Sequence, residues 1–114
     1  METKKLVAKL EKTGRKGRNA LWLDIAARLS KPRRKRVSVN LWKINALSGI
    51  FENKILLVPG KVLGTGQIEN KVRVAALEFS LNAETKIKKA GGELFTIDKL
   101  LKKAPKPSGI VIVK

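Results

Sequence analysis

The residues best suited to chemistry in this chain are cations, and the densest group of them runs from Lys31 to Arg36. Five of these six residues carry a fixed positive charge, and the sixth, Pro32, cannot continue a helix. Arg forms forked hydrogen bonds to phosphate and Lys supplies a point charge, so the run is suited to an extended polyanion. Solvated linkers and tails also contain such runs, and the run alone does not decide between the two.

A second basic stretch, Thr13 to Asn19, combines Arg15, Lys16 and Arg18 with two glycines. Glycine lets a backbone approach another surface closely, so the pattern predicts a flexible loop that contacts the phosphates of a nucleic acid. An ordinary basic surface loop is the alternative.

The total charge of the chain also favours a polyanionic partner. The 114 residues include 26 Lys and Arg against 9 Asp and Glu, which gives a formal charge of +17. Such a charge opposes folding by self-repulsion, and a polyanion would relieve it. Nucleic acid is favoured because each neutralised phosphate releases condensed counterions. A membrane surface would require a strongly amphipathic basic helix or a lipid anchor, and the sequence offers neither convincingly.

Catalysis has few candidate residues. The chain contains no His and no Cys, so its serines lack the usual base and thiolate metal sites are excluded. The acids are scattered, and Gly64-Thr65-Gly66 lacks the third glycine of a dinucleotide-binding loop. No apolar run approaches the roughly 20 residues of a membrane span, and the N-terminus lacks a signal peptide core. We expect an intracellular protein that is not an enzyme, with no cofactor or metal.

The elements that must position the cations fall into two regions. Asn19 is a plausible N-cap for an amphipathic helix over about 20–30, which carries Trp22 in its apolar stripe and ends before Pro32. The sequence predicts a basic N-terminal segment over 1–36 with this one amphipathic helix. A mixed α/β core over 37–114 would complete a single domain overall.

Short elements with short connections are predicted in the core, which argues for an α/β fold. Ser80 is predicted to cap one helix, which Gly91-Gly92 ends, and Asp98 is predicted to cap the next. Pro59-Gly60 is predicted to be a turn between two strands. The predicted strands are a stretch that starts at 37 and loses its alternation before 45, then 55–58, 61–63, about 71–78, 93–97 and 110–113; the predicted helical stretches are 46–52, 80–90 and 99–103.

Three stretches of the core resemble a known ribosomal superfamily: Gly60 to Gly66, Val72 to Ser80, and Ala83 to Gly92 with its Ala-Gly-Gly end. This superfamily joins bacterial large-subunit protein fifteen to the archaeal and eukaryotic protein eighteen-e. Asn19 to Asn45, with its basic run, resembles the eighteen-e branch, and the short length resembles archaeal members. The resemblance covers nearly the whole chain and implies an irregular β-β-α superhelix-like core.

The resemblance also implies a function: a structural constituent of the large ribosomal subunit that binds large-subunit rRNA in the cytoplasm, beside neighbouring ribosomal proteins. In this family the basic N-terminal segment and the first β-rich stretch lie against RNA. The resemblance implies that the protein binds no membrane and no small-molecule substrate. The candidate RNA-binding residues are Arg15, Lys16, Arg18, Arg33, Arg34, Lys35, Arg36, Asn40, Lys43, Asn45, Lys61, Lys71 and Arg73.

Two alternatives stay open from the residues themselves. Asn40, Lys43 and Asn45 can reach RNA phosphates or base edges, and they can equally tie the local backbone. A DNA-binding architectural or regulatory protein is the rival function, although the helix at 20–30 has few side chains that read bases. Because the chain has only five aromatic residues, a reader of single strands by stacking is disfavoured.

Overall fold

The computed structural model describes residues 3–16, 20–32, 35–51, 53–103 and 109–113. The chain divides into two compact units, residues 1–36 and 37–114. Over the described residues, the first unit contains two helices and the second contains three helices and five strands. The small mixed α/β fold predicted from the sequence is therefore confirmed.

The first unit is a pair of helices, α1 over Thr3–Lys16 and α2 over Ala20–Leu29, which pack against each other. Helix α1 buries Leu6 and Leu10. Helix α2 buries Trp22, which confirms the predicted place of this residue in the apolar stripe of the helix. The predicted helix at 20–30 is confirmed, and its predicted cap, Asn19, lies outside the described residues.

The prediction of a flexible loop over 13–19 is wrong for residues 13–16, because α1 continues to Lys16. Leu6, Leu10 and Gly14 are spaced by four and all are buried, so they lie on one helical face. Packing of this face outweighs the low helix propensity of glycine, which is worth about 1 kcal/mol. Residues 17–19 lie outside the described residues.

The second unit is built on a parallel sheet. Strands β1 to β4 are neighbours in chain order, and β5 pairs with β2. Since β3 occupies one edge of β2, both β1 and β5 lie along its other edge, β5 against residues 55–57 and β1 against 60–63. The strands are Val37–Asn40 (β1), Ile55–Leu63 (β2), Arg73–Phe79 (β3), Glu93–Thr96 (β4) and Ile110–Ile112 (β5).

Three helices follow strands directly: α3 over Leu41–Ile50, α4 over Leu81–Lys89 and α5 over Ile97–Lys103. Because all the pairs are parallel, the carboxyl ends of the strands and the first turns of these helices lie at one end of the sheet. The connection from β2 to β3, residues 64–72, contains no helix. Both the sheet and the helices contribute to a core of apolar side chains such as Ile44, Val62 and Ile87.

The predicted turn at Pro59-Gly60 is wrong, because β2 runs through both residues. Its pairing with β3 shifts register between Val58 and Lys61, which is where a strand accepts a proline that cannot donate a hydrogen bond. Gly60 lies opposite Val37, so close that a β carbon would stand 1.9 Å from the Val37 carbonyl oxygen. The pairing of Val58 with β3 and of Gly60 with β1 outweighs the local turn signal.

Two other element boundaries were wrong. Residues 41–45 belong to α3 and do not extend the first strand, since Leu41 and Ile44 face the core at helical spacing. Thr96, rather than Asp98, caps α5: its Oγ1 accepts a hydrogen bond of 3.3 Å from the Lys99 amide. Asp98 lies in the first turn of that helix.

The limits of α4 are confirmed as predicted. The Ser80 hydroxyl accepts a hydrogen bond of 3.2 Å from the Ala83 amide, and Gly91 adopts φ +81° after the last turn. Both signals act within a few residues of the chain, and their effect is therefore visible in the sequence.

Candidate nucleic-acid interface

The exposed face of α1 carries only cations and small or polar side chains. Lys5, Lys9, Lys12 and Lys16 are spaced by four, three and four residues, so they fall within about 60° of one another around the helix axis. The stripe is about 16 Å long, at 1.5 Å per residue. The one acid of α1, Glu11, is half-buried. The exposed cations of this basic stripe and its flank are Lys4, Lys5, Lys9, Lys12, Arg15 and Lys16.

Four of these six residues, Lys4, Lys5, Lys9 and Lys12, were not predicted from the sequence. Their helical spacing was the signal that could have found them, because Leu6 and Leu10 define the opposite face. The two predicted residues, Arg15 and Lys16, lie exposed in the last turn of α1. Cations there also interact favourably with the helix dipole.

The basic run follows the end of α2. Arg36 is half-buried, and its Nη2 atom donates a hydrogen bond of 3.0 Å to the Leu29 carbonyl oxygen in the last turn of that helix. The Lys35 amide donates to the Pro32 carbonyl oxygen at 2.8 Å, while the Lys31 and Lys35 side chains are exposed. Arg36 therefore ties the run to α2. Three predicted residues, Arg18, Arg33 and Arg34, lie outside the described residues.

At the carboxyl end of the sheet, Asn40 is the last residue of β1 and the N-cap position of α3. Its backbone is extended, and its side chain makes no capping hydrogen bond. Lys43 is half-buried in the first turn of α3, beside Trp42, a residue that is 59% exposed. Asn40 was predicted either to contact RNA or to tie the local backbone. The structure excludes one form of the second role, a side-chain cap on α3.

The side chain of Asn45 ties the local backbone, which is one of the two roles that the sequence left open for it. Its Oδ1 atom accepts a hydrogen bond of 3.0 Å from the Glu69 amide. One turn later in α3, the Ser48 hydroxyl oxygen accepts a hydrogen bond of 3.4 Å from the Asn70 side-chain amide. These two hydrogen bonds hold the connection between β2 and β3 against α3. The oxygen of Asn45 is thus a structural acceptor.

The remaining three candidates lie elsewhere on the sheet. Lys61 is half-buried in β2, in register with Ser38 on one side and Glu78 on the other. Lys71 is exposed just before β3, and Arg73 is the first residue of that strand.

The length of strand β2 gives the distance between the two ends of the sheet, where the candidates of the second unit lie. Asn40 pairs with Leu63 and Arg73 pairs with Ile55, eight residues earlier in the same strand. At about 3.3 Å per residue, the two ends are roughly 26 Å apart. The candidates of the second unit therefore form two groups that cannot contact one phosphate together.

No group of three or more acidic residues that could hold a metal ion occurs in the part of the chain that the structure describes. No helix among the described residues is long and apolar enough to cross a membrane.

A small α/β fold with a cationic helix face and further cations at both ends of its sheet defines a basic protein suited to a polyanion. A family model described as ribosomal protein 60S L18 and 50S L18e matches residues 3–114. The chain belongs to this family of ribosomal proteins, and the resemblance seen in the sequence is confirmed.

Individual relatives give the same result. The chain is 43% identical over 110 residues to large ribosomal subunit protein eL18 of Methanothermobacter thermautotrophicus. The aligned residues cover 96% of this chain and 89% of the relative. It is 44% identical over 117 residues to the protein of the same name in Methanopyrus kandleri, covering 100% and 92% of the two chains. The protein of that name in Methanoregula boonei is 43% identical over 109 residues, or 96% and 88% of the two chains. All three come from archaea, as the sequence predicted.

Proposed function

We propose that the chain is a structural constituent of the large ribosomal subunit, where it binds and stabilises folded large-subunit rRNA through its basic surfaces. The observation that carries the proposal is the exposed face of α1, on which six cations lie opposite the buried Leu6 and Leu10. Relatives that are at least 40% identical to it over nearly the whole chain are named as large ribosomal subunit proteins.

The physics of such a face suits duplex RNA. A-form RNA is recognised mainly through the positions of its phosphates and 2′-hydroxyl groups, because its major groove is too narrow for side chains to read. A straight row of flexible Lys side chains can neutralise a series of phosphates without reading sequence. The affinity should then be dominated by counterion release.

Other candidates have different roles in this proposal. Arg15, Lys16 and Lys35 are exposed and contact phosphates. Arg18, Arg33 and Arg34 are included in this proposal on the ground of their charge in the sequence. Asn40 and Lys43 contact RNA at the carboxyl end of the sheet. Arg36 and Asn45 position the elements around them through their hydrogen bonds to Leu29 and Glu69.

The proposal includes a cellular place and a mode of action. The protein acts in the cytoplasm as part of the ribosome, with large-subunit rRNA and adjacent ribosomal proteins as its partners. In this proposal the protein carries out no catalysis of its own. It stabilises folded RNA by neutralising phosphate charge and by holding RNA segments in fixed positions.

Sedimentation tests the proposal directly. We expect an epitope-tagged chain, expressed in its source cells, to sediment with the large subunit and with whole ribosomes on a sucrose gradient at high magnesium. A tagged chain that stays at the top of the gradient would overturn the proposal. DNA binding is the rival function, and it predicts that duplex DNA displaces the purified chain from rRNA at equal nucleotide concentration.

A further inference from the structure

A cleft of about 280 Å³ opens at the amino end of the sheet in the second unit. Its walls are the last turn of α3, the turn before β2 and the start of β3. Three cations line it, Lys54, Lys71 and Arg73, together with Asn70 and the hydroxyl-bearing Ser48. No Asp or Glu is among the described residues that line the cleft. The described lining therefore favours an anionic ligand.

The donors of this cleft are held in place by hydrogen bonds and packing. The Arg73 guanidinium donates through Nη2 to the Asn53 carbonyl oxygen, which fixes its direction across the turn. The Asn70 amide donates to Ser48 in α3 at 3.4 Å. The stem of Lys71 passes Gly91, where a β carbon would lie 3.4 Å from the Lys71 Cε atom. A partly fixed set of donors loses less entropy when it binds a ligand.

We propose that this cleft binds a phosphate of the rRNA backbone, at a contact separate from the one at the carboxyl end of the same sheet. The proposal rests on the proposed function, because RNA is the polyanion that supplies the phosphate. Arg73 forms the forked contact and the two lysines supply point charges. With roughly 26 Å between the ends of the sheet, the second unit then bridges two RNA segments.

The first experiment measures how binding to transcribed large-subunit rRNA depends on KCl concentration, using the full chain. The double variant Lys71→Gln, Arg73→Gln should shallow the slope of log K against log salt by about 0.7–0.9 for each phosphate that the variant no longer neutralises. The matched control is Lys99→Gln, Lys102→Gln, which removes two exposed charges that do not line the cleft. The control should change the slope by less than half as much.

The outcomes separate the two proposals. If the unaltered chain does not bind rRNA, the proposed function fails and the cleft contact fails with it. If the unaltered chain binds and the two double variants have equal slopes, the cleft contact alone is overturned. Lys71→Gln by itself leaves the bond of Arg73 to Asn53 intact and should still lower the slope, so a folding defect at Arg73 cannot imitate the result.

The second experiment tests whether the two ends of the sheet contact different RNA. Since the chain has no Cys, Glu93→Cys, in register with Arg73 at the amino end of the sheet, and Thr65→Cys at the carboxyl end each give one site for an iron–EDTA tether. We expect hydroxyl-radical cleavage of two different rRNA segments. Adding Lys71→Gln and Arg73→Gln should weaken only the cleavage from position 93. Cleavage of one shared segment from both positions would overturn the bridge.

Discussion

The Lys86 ammonium group donates a hydrogen bond of 2.8 Å to the carbonyl oxygen of Gly64, which joins α4 to the turn after β2. The same group donates to the Gly66 carbonyl oxygen at 2.9 Å. On the other side of this turn, the Trp42 amide of α3 donates to the Thr65 carbonyl oxygen at 3.1 Å. Lys86 is therefore a structural cation that holds the turn between two helices.

Replacing this cation should destabilise the fold. We expect Lys86→Met to lower the free energy of unfolding by about 1–2 kcal/mol, because two carbonyl oxygens lose a charged donor at a half-buried site. Lys89→Met at an exposed position of the same helix is the matched control and should change stability by less than about 0.5 kcal/mol. Urea denaturation measures both, and equal midpoints would contradict this role for Lys86.

The close contact of β1 and β2 gives a second prediction. Gly60→Ala would place a methyl group 1.9 Å from the Val37 carbonyl oxygen, so the two strands must separate. We expect the free energy of unfolding to fall by at least about 3 kcal/mol, within the range of the most damaging single substitutions.

Gly49→Ala is the control for that substitution. Gly49 lies in α3. Apart from its chain neighbours and the backbone of its own helix, no atom of the described residues lies within 4 Å of an added methyl group, so alanine should stabilise the helix by up to about 1 kcal/mol. Thermal unfolding of the two variants should therefore shift in opposite directions. A Gly60→Ala variant as stable as the unaltered chain would show that β1 can yield without cost.

How much of the fold the sequence could predict depends on the range of the interaction. The Ser80 cap and the Gly91 C-cap involve residues a few positions apart, so their signals are complete within the local sequence. Pro59 was mispredicted because β2 continues through it on the strength of its neighbours, since Val58 pairs with β3 and Gly60 pairs with β1. The helix at 41–50 was mispredicted because its sequence is apolar on nearly every face, which leaves no clear period.

The candidate site shows the same division. Net charge and the basic run are properties of composition, and they were visible in the sequence without a fold. The grouping of Lys54 with Lys71 and Arg73 was not visible, because the turn before β2 meets the start of β3 only through strand pairing. The structural use of the Asn45 oxygen likewise depends on Glu69, which lies 24 residues away in the chain.

The basic run gives a third prediction, which separates its RNA contacts from its structural contact. We expect Arg33→Gln, Arg34→Gln and Lys35→Gln together to shallow the salt dependence of rRNA binding, because three charges that can neutralise phosphate are removed. Lys35→Gln by itself should leave thermal stability unchanged, because the Lys35 side chain is exposed. Arg36→Ala should lower stability by about 1 kcal/mol, because the Leu29 carbonyl oxygen loses its donor at the end of α2. An Arg36→Ala variant with full stability would contradict the structural role of this residue.

The basic stripe of α1 gives the last prediction. Replacing Lys5, Lys9, Lys12 and Lys16 by Gln keeps residues of similar helix propensity, so α1 should remain helical by circular dichroism. We expect the slope of log K against log salt for rRNA to shallow by about 0.7–0.9 for each phosphate that is no longer neutralised. The control replaces Lys88, Lys89, Lys99 and Lys102, which removes the same charge from α4 and α5. Since counterion release depends on charges at the contact rather than on net charge, equal slopes for the two variants would exclude α1 as the principal RNA-binding face.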